Sequence, residues 1–285
     1  MPFSTAEDCV VETDWLAQHL DAPDVVIVDG SWHLPGSGRD GRAEFQKERI
    51  PGAIFFDIDD IRDTDTDLPH MLPSSVQFSS QMKRLGIGNG SRVVVYDTAG
   101  IFSAARVWWM LRAMGHTDVR VLNGGLPKWT AEGHATEDGP PSVRTPVHFM
   151  PQVNNALVAD IDDMRGYLRS GSRQLLDARP AARFTGEADE PRAGLRRGHM
   201  PGALNVPFSS VLNEDGTLKS ADGLRAVFGQ ADVDTRSNIV ATCGSGVSAA
   251  VLALALARIG NAQVAIYDGS WAEWGQNNGL PVATG

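Results

Sequence analysis

Cysteine is almost absent from this 285-residue chain, which has two, Cys9 and Cys243. Two thiols make neither a disulfide framework nor a Cys-rich zinc centre, so no metal site is expected. Basic residues are outnumbered, 25 Lys and Arg against 35 Asp and Glu, for a net charge of −10. That balance argues against nucleic acid or an anionic membrane surface as the main partner. It leaves open a small anion gripped by a few local arginines. No apolar run reaches the ~20 residues of a membrane span. The longest, Ala249 to Ala257, stops at Arg258. No Lys or Arg precedes Arg39, while Glu7, Asp8, Glu12 and Asp14 do. This predicts neither a secretory signal nor an Arg-rich transit peptide, and hence a cytoplasmic chain. The remaining composition, 42% hydrophobic and 21% charged, is that of a soluble globular protein, long enough for two domains.

What the chain has in plenty is repetition. "VVIVDGSW" (25–32) is answered by "QLLDARPA" (174–181), and "RIPGAIFFDI" (49–58) by "HMPGALNVPF" (199–208). "RVVVYDTAG…SAARVWWMLRAMGH" (92–116) is answered by "NIVATCGSG…SAAVLALALARIGN" (238–261), and "VRVLNGGLPKW" by "VAIYDGSWAEW". Order and spacing, about 145–150 residues, are kept, which marks a duplicated domain. A proline-rich stretch without period separates the copies, giving domains at 1–138 and 153–285 with a linker at 139–152. Within each copy, short Val/Ile-rich runs alternate with helical segments. This predicts an α/β fold of two tandem domains, each a mainly parallel sheet with helices on both faces. Such sheets bind ligands beyond the carboxyl ends of their strands, and Cys243 stands at one such end.

Three chemistries compete for the loop "ATCGSGVSAA". Gly244-Ser-Gly246-Val-Ser-Ala249 fits a dinucleotide turn, with Asp268 at the place of a ribose-binding acid. Too little chain follows Asp268 to complete such a domain, and the first copy has Asp97-Thr-Ala-Gly100 instead. A phosphatase loop needs an arginine six positions after the cysteine, where this chain has Ala249. A sulfur-transfer loop uses every feature. Small residues let backbone N–H groups turn inward, and the helix predicted over Val247–Ile259 adds its positive end. Such surroundings favour a thiolate and leave room for a second sulfur atom.

At this point the loop resembles that of the 3-mercaptopyruvate sulfurtransferases, a branch of the tandem rhodanese superfamily. "HMPGALNVPF" and "VAIYDGSWAEW" are similar to the rhodanese signature segments. "FFDIDD…LPHMLP" and "DARPAARFTGEADEPRAGLRRGHMPGA" resemble that branch in particular. The resemblance implies a Cys243 persulfide as the covalent intermediate, no organic or metal cofactor, and a catalytically inactive first copy, where Asp97 replaces the cysteine. Relatives that use thiosulfate carry basic residues directly after the cysteine, and here Gly244 and Ser245 stand there. One departure is Ser248, where the branch usually has Thr.

The same resemblance assigns substrate binding to Arg183 and Arg192 together with the loop residues Gly244, Gly246, Val247 and Ser248. It assigns an Asp–His–Ser relay to Asp59, His70 and Ser245, two members coming from the first copy and one from the second. Thioredoxin, small thiols or cyanide are the acceptors it implies. Rival expectations are a thiosulfate:cyanide sulfurtransferase and a non-catalytic persulfide carrier. Outside the motifs, Cys9 reads as a small filler and "RVWWM" as a core-facing stripe. Trp271 and Trp274 read as packed aromatics, and Arg196, Arg197 and His199 as loop residues.

Overall fold

The computed structural model describes residues 8–285. Residues 1–7, part of the N-terminal stretch read above for targeting, lie outside the described residues. The first half runs β1 (Val10–Val11), α1 (Thr13–Ala17), β2 (Val25–Asp29), α2 (Gly41–Lys47), β3 (Ile54–Phe55), α3 (Ser75–Leu85), β4 (Arg92–Tyr96), α4 (Ser103–Ala113), β5 (Val119–Leu122) and α5 (Gly125–Ala131). The second runs β6 (Val158–Ala159), α6 (Ile161–Ser170), β7 (Gln174–Asp177), α7 (Ala181–Thr185), β8 (Leu204–Asn205), α8 (Ala221–Gln230), β9 (Ile239–Thr242), α9 (Ala249–Arg258), β10 (Ala265–Tyr267) and α10 (Ser270–Trp274). Each half is a five-stranded sheet, ordered β1-β5-β4-β2-β3 and β6-β10-β9-β7-β8. Every strand pair is parallel, so each crossover needs a helix, and the inner strands β2, β5, β9 and β10 are buried throughout.

Helix limits follow local chemistry. A capping box of Ser74 and Gln77 opens α3, and one of Asp160 and Asp163 opens α6. Both helices close on a left-handed glycine, Gly86 at φ 70° and Gly171 at φ 62°. Helices α4 and α9 are different, because they are buried nearly all round. They pack against each other between the two sheets, inside one continuous core that draws Trp108, Trp109 and Met110 from one half and Leu252, Leu254 and Leu256 from the other. Alanines at 249, 250, 253, 255 and 257 let the helices approach closely. Shortening a leucine there to alanine costs about 2–5 kcal/mol. Smaller cores cover the outer faces, around Phe45, Tyr96 and Trp129 in one half and Met164, Trp271 and Trp274 in the other.

Residues 139–152 form neither helix nor strand, yet they are tied down. The Arg49 guanidinium donates to the carbonyls of Asp138, Gly139 and Pro140, and Ser79 Oγ to that of Phe149. Two local expectations change. "AIFFDI" contributes only the two residues of β3, because the chain beyond Phe55 turns into the loop that carries Asp59 and His70. Helix α9 starts at Ala249 rather than Val247, since Val247 and Ser248 are spent on a turn that opens the cysteine loop. Among the described residues no helix is long and apolar enough to cross a membrane.

Candidate active site

Cys243 directly follows β9 and is 1% exposed. The loop after it is held from outside by its carbonyls. Trp271 N–H donates to Cys243 O and Ala272 N–H to Gly244 O, both at 2.9 Å. Arg106 Nη1 donates to Gly246 O at 3.4 Å. A trans peptide points its C=O and its N–H in opposite directions. The N–H groups of Gly244, Ser245 and Val247 are therefore turned away from those outer donors. Those of Gly244 through Ser248 have no hydrogen-bond partner among the described residues. Gly246, at φ 76°, makes the left-handed turn that this curl requires. The result is a ring of free donors at the start of α9, a fixed partial positive charge suited to an anion.

The first half shows such a ring already filled. Asp97 stands at the position of Cys243, and its carboxylate accepts N–H groups from Ala99 at 2.9 Å, Phe102 at 2.7 Å and Ala104 at 2.8 Å. Ser31 Oγ takes the N–H of Thr98 at 3.0 Å. The first loop thus satisfies its own donors and offers no nucleophile. In the second loop the same place is left to a sulfur.

A cavity of about 90 Å³ opens above Cys243, lined by Trp32, Leu34, Phe102 and Phe208 from one side and by Arg183, Arg192, Gly244, Ser245, Val247 and Ser248 from the other. Its size suits a substrate of a few heavy atoms. The two arginines differ. Arg183, in the middle of the short α7, is paired through Nε (3.2 Å) and Nη2 with Glu190, a carboxylate buried to 1% exposure. Glu190 also takes Arg179 Nη1 at 2.7 Å, and Arg179 forks onto Asp177. Arg192 has no carboxylate partner among the described residues. Burial holds its pKa below the usual guanidinium value, with Cys243 opposing and Arg183 reinforcing the shift.

Asp59 and His70, from the first half, stand behind two residues of the cavity wall, Trp32 and Arg192. His70 Nδ1 lies 3.1 Å from Asp59 Oδ1, and Asp59 Oδ2 accepts Trp32 Nε1 at 2.9 Å. His70 Nε2 lies 3.5 Å from Arg192 Nη2. Burial pushes the imidazole pKa down, Asp59 opposes this, and Arg106 and Arg192 add to it. The nearby imidazole edge in turn holds Asp59 below the usual carboxylate range. This assigns the proton of a neutral ring to Nδ1, on Asp59, and leaves Nε2 as a base. Ser245 lines the cavity and is buried, but among the described residues no hydrogen bond joins it to His70.

The structure brings Arg183, Arg192, Cys243, Gly244, Ser245, Val247 and Ser248 to one cleft, with His70 and Asp59 in file behind Arg192 and Gly246 behind the loop. Two residues of the site, Glu190 and Arg106, had no site role from the sequence, and Asp268 stood there only as the acid of the dinucleotide alternative. The sign of Arg106 was a lone charge inside the apolar stripe "RVWWM". Asp268 is no ribose ligand: its Oδ1 pairs with Arg106 Nη1 at 2.7 Å, and its Oδ2 accepts Leu72 N–H at 2.6 Å. Trp271 and Trp274 are fully buried, the first beneath the Arg179 guanidinium. Arg196 ties down carbonyls of the last loop, Arg197 pairs with Asp189 at the surface, and His199 stacks on Phe184.

Comparison with known proteins agrees with this construction. The Rhodanese-like domain family matches twice, over residues 12–132 and 160–277. The chain is 44% identical to the 3-mercaptopyruvate sulfurtransferase of Escherichia coli K12 over 274 residues, covering 95% of this chain and 96% of the relative. It is 43% identical to a thiosulfate sulfurtransferase of Rattus norvegicus over 272 residues, covering 93% and 91%. The crystal structure of SseA, a 3-mercaptopyruvate sulfotransferase from Escherichia coli, superposes with a TM-score of 0.85 at 41% identity, covering 95% of this chain and all of that one. Two matched domains, a parallel sheet in each and a cysteine loop in the second make this chain a member of the rhodanese family.

Proposed function

We propose that the protein is a sulfurtransferase that takes sulfur from 3-mercaptopyruvate through a Cys243 persulfide and releases pyruvate. The observation that carries this reading is the pairing of an unfilled N–H ring around Cys243 with two arginines across a small cavity. Relatives of similar identity bear names for two donors, so the choice of donor rests on the loop itself. Gly244 and Ser245 put no cation beside the sulfur to favour a dianion such as thiosulfate. Planar, permanently charged guanidinium groups suit a carboxylate next to a ketone.

In the reaction, Arg192 and Arg183 hold the carboxylate and ketone. The Cys243 thiolate attacks the substrate sulfur, so an S–S bond forms and the C–S bond breaks. The electron pair of that bond leaves as the enolate of pyruvate. The proton of the substrate thiol passes to the enolate carbon, with Ser245 as relay and His70 Nε2 as its acceptor. The outer sulfur remains as Cys243–S–S⁻, stabilised by the loop N–H groups. A thiol or cyanide then takes that sulfur and restores the thiolate. No metal or organic cofactor enters this sequence. Thioredoxin and small thiols are the acceptors, and the cytoplasm, where they are held reduced, is the compartment. The inactive half is retained because it supplies Asp59 and His70.

Steady-state turnover on 3-mercaptopyruvate and on thiosulfate, with Cys243→Ser as control, tests the proposal. Preference for 3-mercaptopyruvate with loss in Cys243→Ser is expected. Preference for thiosulfate overturns the donor, and no turnover of either overturns the enzyme.

A further inference from the structure

Arg106 sits on α4, in the half without a nucleophile, and its side chain is fully buried. A buried guanidinium is expensive to desolvate and is kept only where its geometry is used. Here one fork reaches three groups of the site. Nη1 pairs with Asp268 Oδ1 at 2.7 Å and donates to Gly246 O at 3.4 Å, and Nη2 donates to His70 O. The plane of the fork is fixed from behind by Trp109, 4.3 Å from the ring centroid. Asp268 completes the arrangement by accepting the N–H of Leu72 at 2.6 Å. The pair therefore holds the carbonyl of residue 70 and the N–H of residue 72 while it also holds the cysteine loop.

Two backbone conformations depend on that grip. His70 is at φ 62°, a left-handed conformation that costs a non-glycine residue about 1–2 kcal/mol and persists only when its surroundings impose it. Gly246 is at φ 76°, and a Cβ there would lie 2.8 Å from Arg106 Nη1, so the absent side chain is what admits the guanidinium. With Gly246 O turned onto Arg106, the N–H of Val247 faces the opposite way, into the ring of free donors.

We propose that Arg106 and Asp268 form an inter-domain positioning pair that sets the sulfur cradle and the His70 imidazole in register with each other. The proposal rests on the sulfurtransferase reading for its turnover test, and it has a second readout that does not. Neither residue touches substrate, so the transition state suffers when they are changed and donor binding does not.

Arg106→Lys keeps the charge and the ion pair but loses the fork that serves two carbonyls at once. Its kcat on 3-mercaptopyruvate should fall about 100-fold, the scale of losing one preorganised donor, with KM little changed. The rate of Cys243 alkylation by iodoacetamide should fall at neutral pH, and its pH profile should move to higher pH. Asp268→Asn should shift both readouts in the same direction. Each rate is expressed per folded molecule, counted by near-UV circular dichroism. Wild-type values of kcat and of the alkylation profile in folded Arg106→Lys overturn the proposal. So does a loss in both variants that tracks only the folded fraction. If the wild type fails to turn over 3-mercaptopyruvate, the functional reading fails, while the alkylation profiles still decide the role of the pair.

Discussion

Arg192 Nη2 lies 3.5 Å from His70 Nε2, across the seam between the two halves of the chain. The contact is favourable only while the imidazole is neutral, because a protonated ring would set two cations side by side. Asp59 takes the opposite edge of the ring at 3.1 Å and Arg106 holds the residue's carbonyl, so the ring has little freedom to turn away.

The first prediction concerns pH. Burial, Arg106 and Arg192 lower the His70 pKa and Asp59 raises it, the net direction being down from 6.5. The acid limb of kcat/KM should therefore lie below 6.5. Asp59→Asn removes the raising influence and moves that limb to still lower pH, while kcat drops because the tautomer is no longer fixed. A pH–rate series on both proteins checks this, and a limb moving upward contradicts it.

The two arginines proposed to hold the substrate should not be equivalent. Glu190 already neutralises Arg183, whereas Arg192 faces the cavity without a carboxylate partner among the described residues. Arg192→Ala should lower kcat/KM for 3-mercaptopyruvate about 100-fold and Arg183→Ala about tenfold, mainly through KM. Steady-state kinetics of the two variants decide it. Equal losses would mean that Glu190 releases Arg183 when substrate arrives.

Glu190 itself is a structural keystone of the site. It balances Arg179 and Arg183 with a side chain that is 1% exposed, and its loss leaves Arg183 without a carboxylate and Arg179 with Asp177 alone. Glu190→Gln should destabilise the protein by about 3 kcal/mol in urea unfolding.

Asp29 occupies the place in β2 that Asp177 occupies in β7, but it lacks the arginine that Asp177 has. Its Oδ2 is buried without a partner among the described residues, and burial pushes its pKa up to about 7. A carboxyl group raised in the folded state favours folding below its unfolded value and loses that contribution as pH rises to about 7. Asp29→Asn should therefore be more stable than wild type at pH 8, by at most about 4 kcal/mol, with the gap closing near pH 4. Thermal melts at the two pH values measure it.

Most of the architecture could be read from the chain because the duplication repeats every strand and loop in order. Cys243, Arg183 and Arg192 stood out through motif and spacing. Arg106, Asp268 and Glu190 did not, and the reason is physical. Arg106 and Asp268 meet only when α4 and β10 pack from opposite halves, and no local period encodes that meeting. Glu190 lies among other charged residues in the sequence, and only folding buries its side chain between two arginines. Asp59 is exposed in its acidic loop, and Trp32 and His70 hold its carboxylate from the protein side. The side chains to which the proposal gives the chemistry were legible, and the contacts that aim them arise from the interface between copies.

The most direct test of the account is a single turnover followed by intact-mass and peptide analysis. Stoichiometric 3-mercaptopyruvate should add one sulfur atom to the Cys243 peptide with release of an equal amount of pyruvate, and thiosulfate under the same conditions should add far less. Pyruvate released without sulfur on Cys243, or sulfur taken up more readily from thiosulfate, would contradict it.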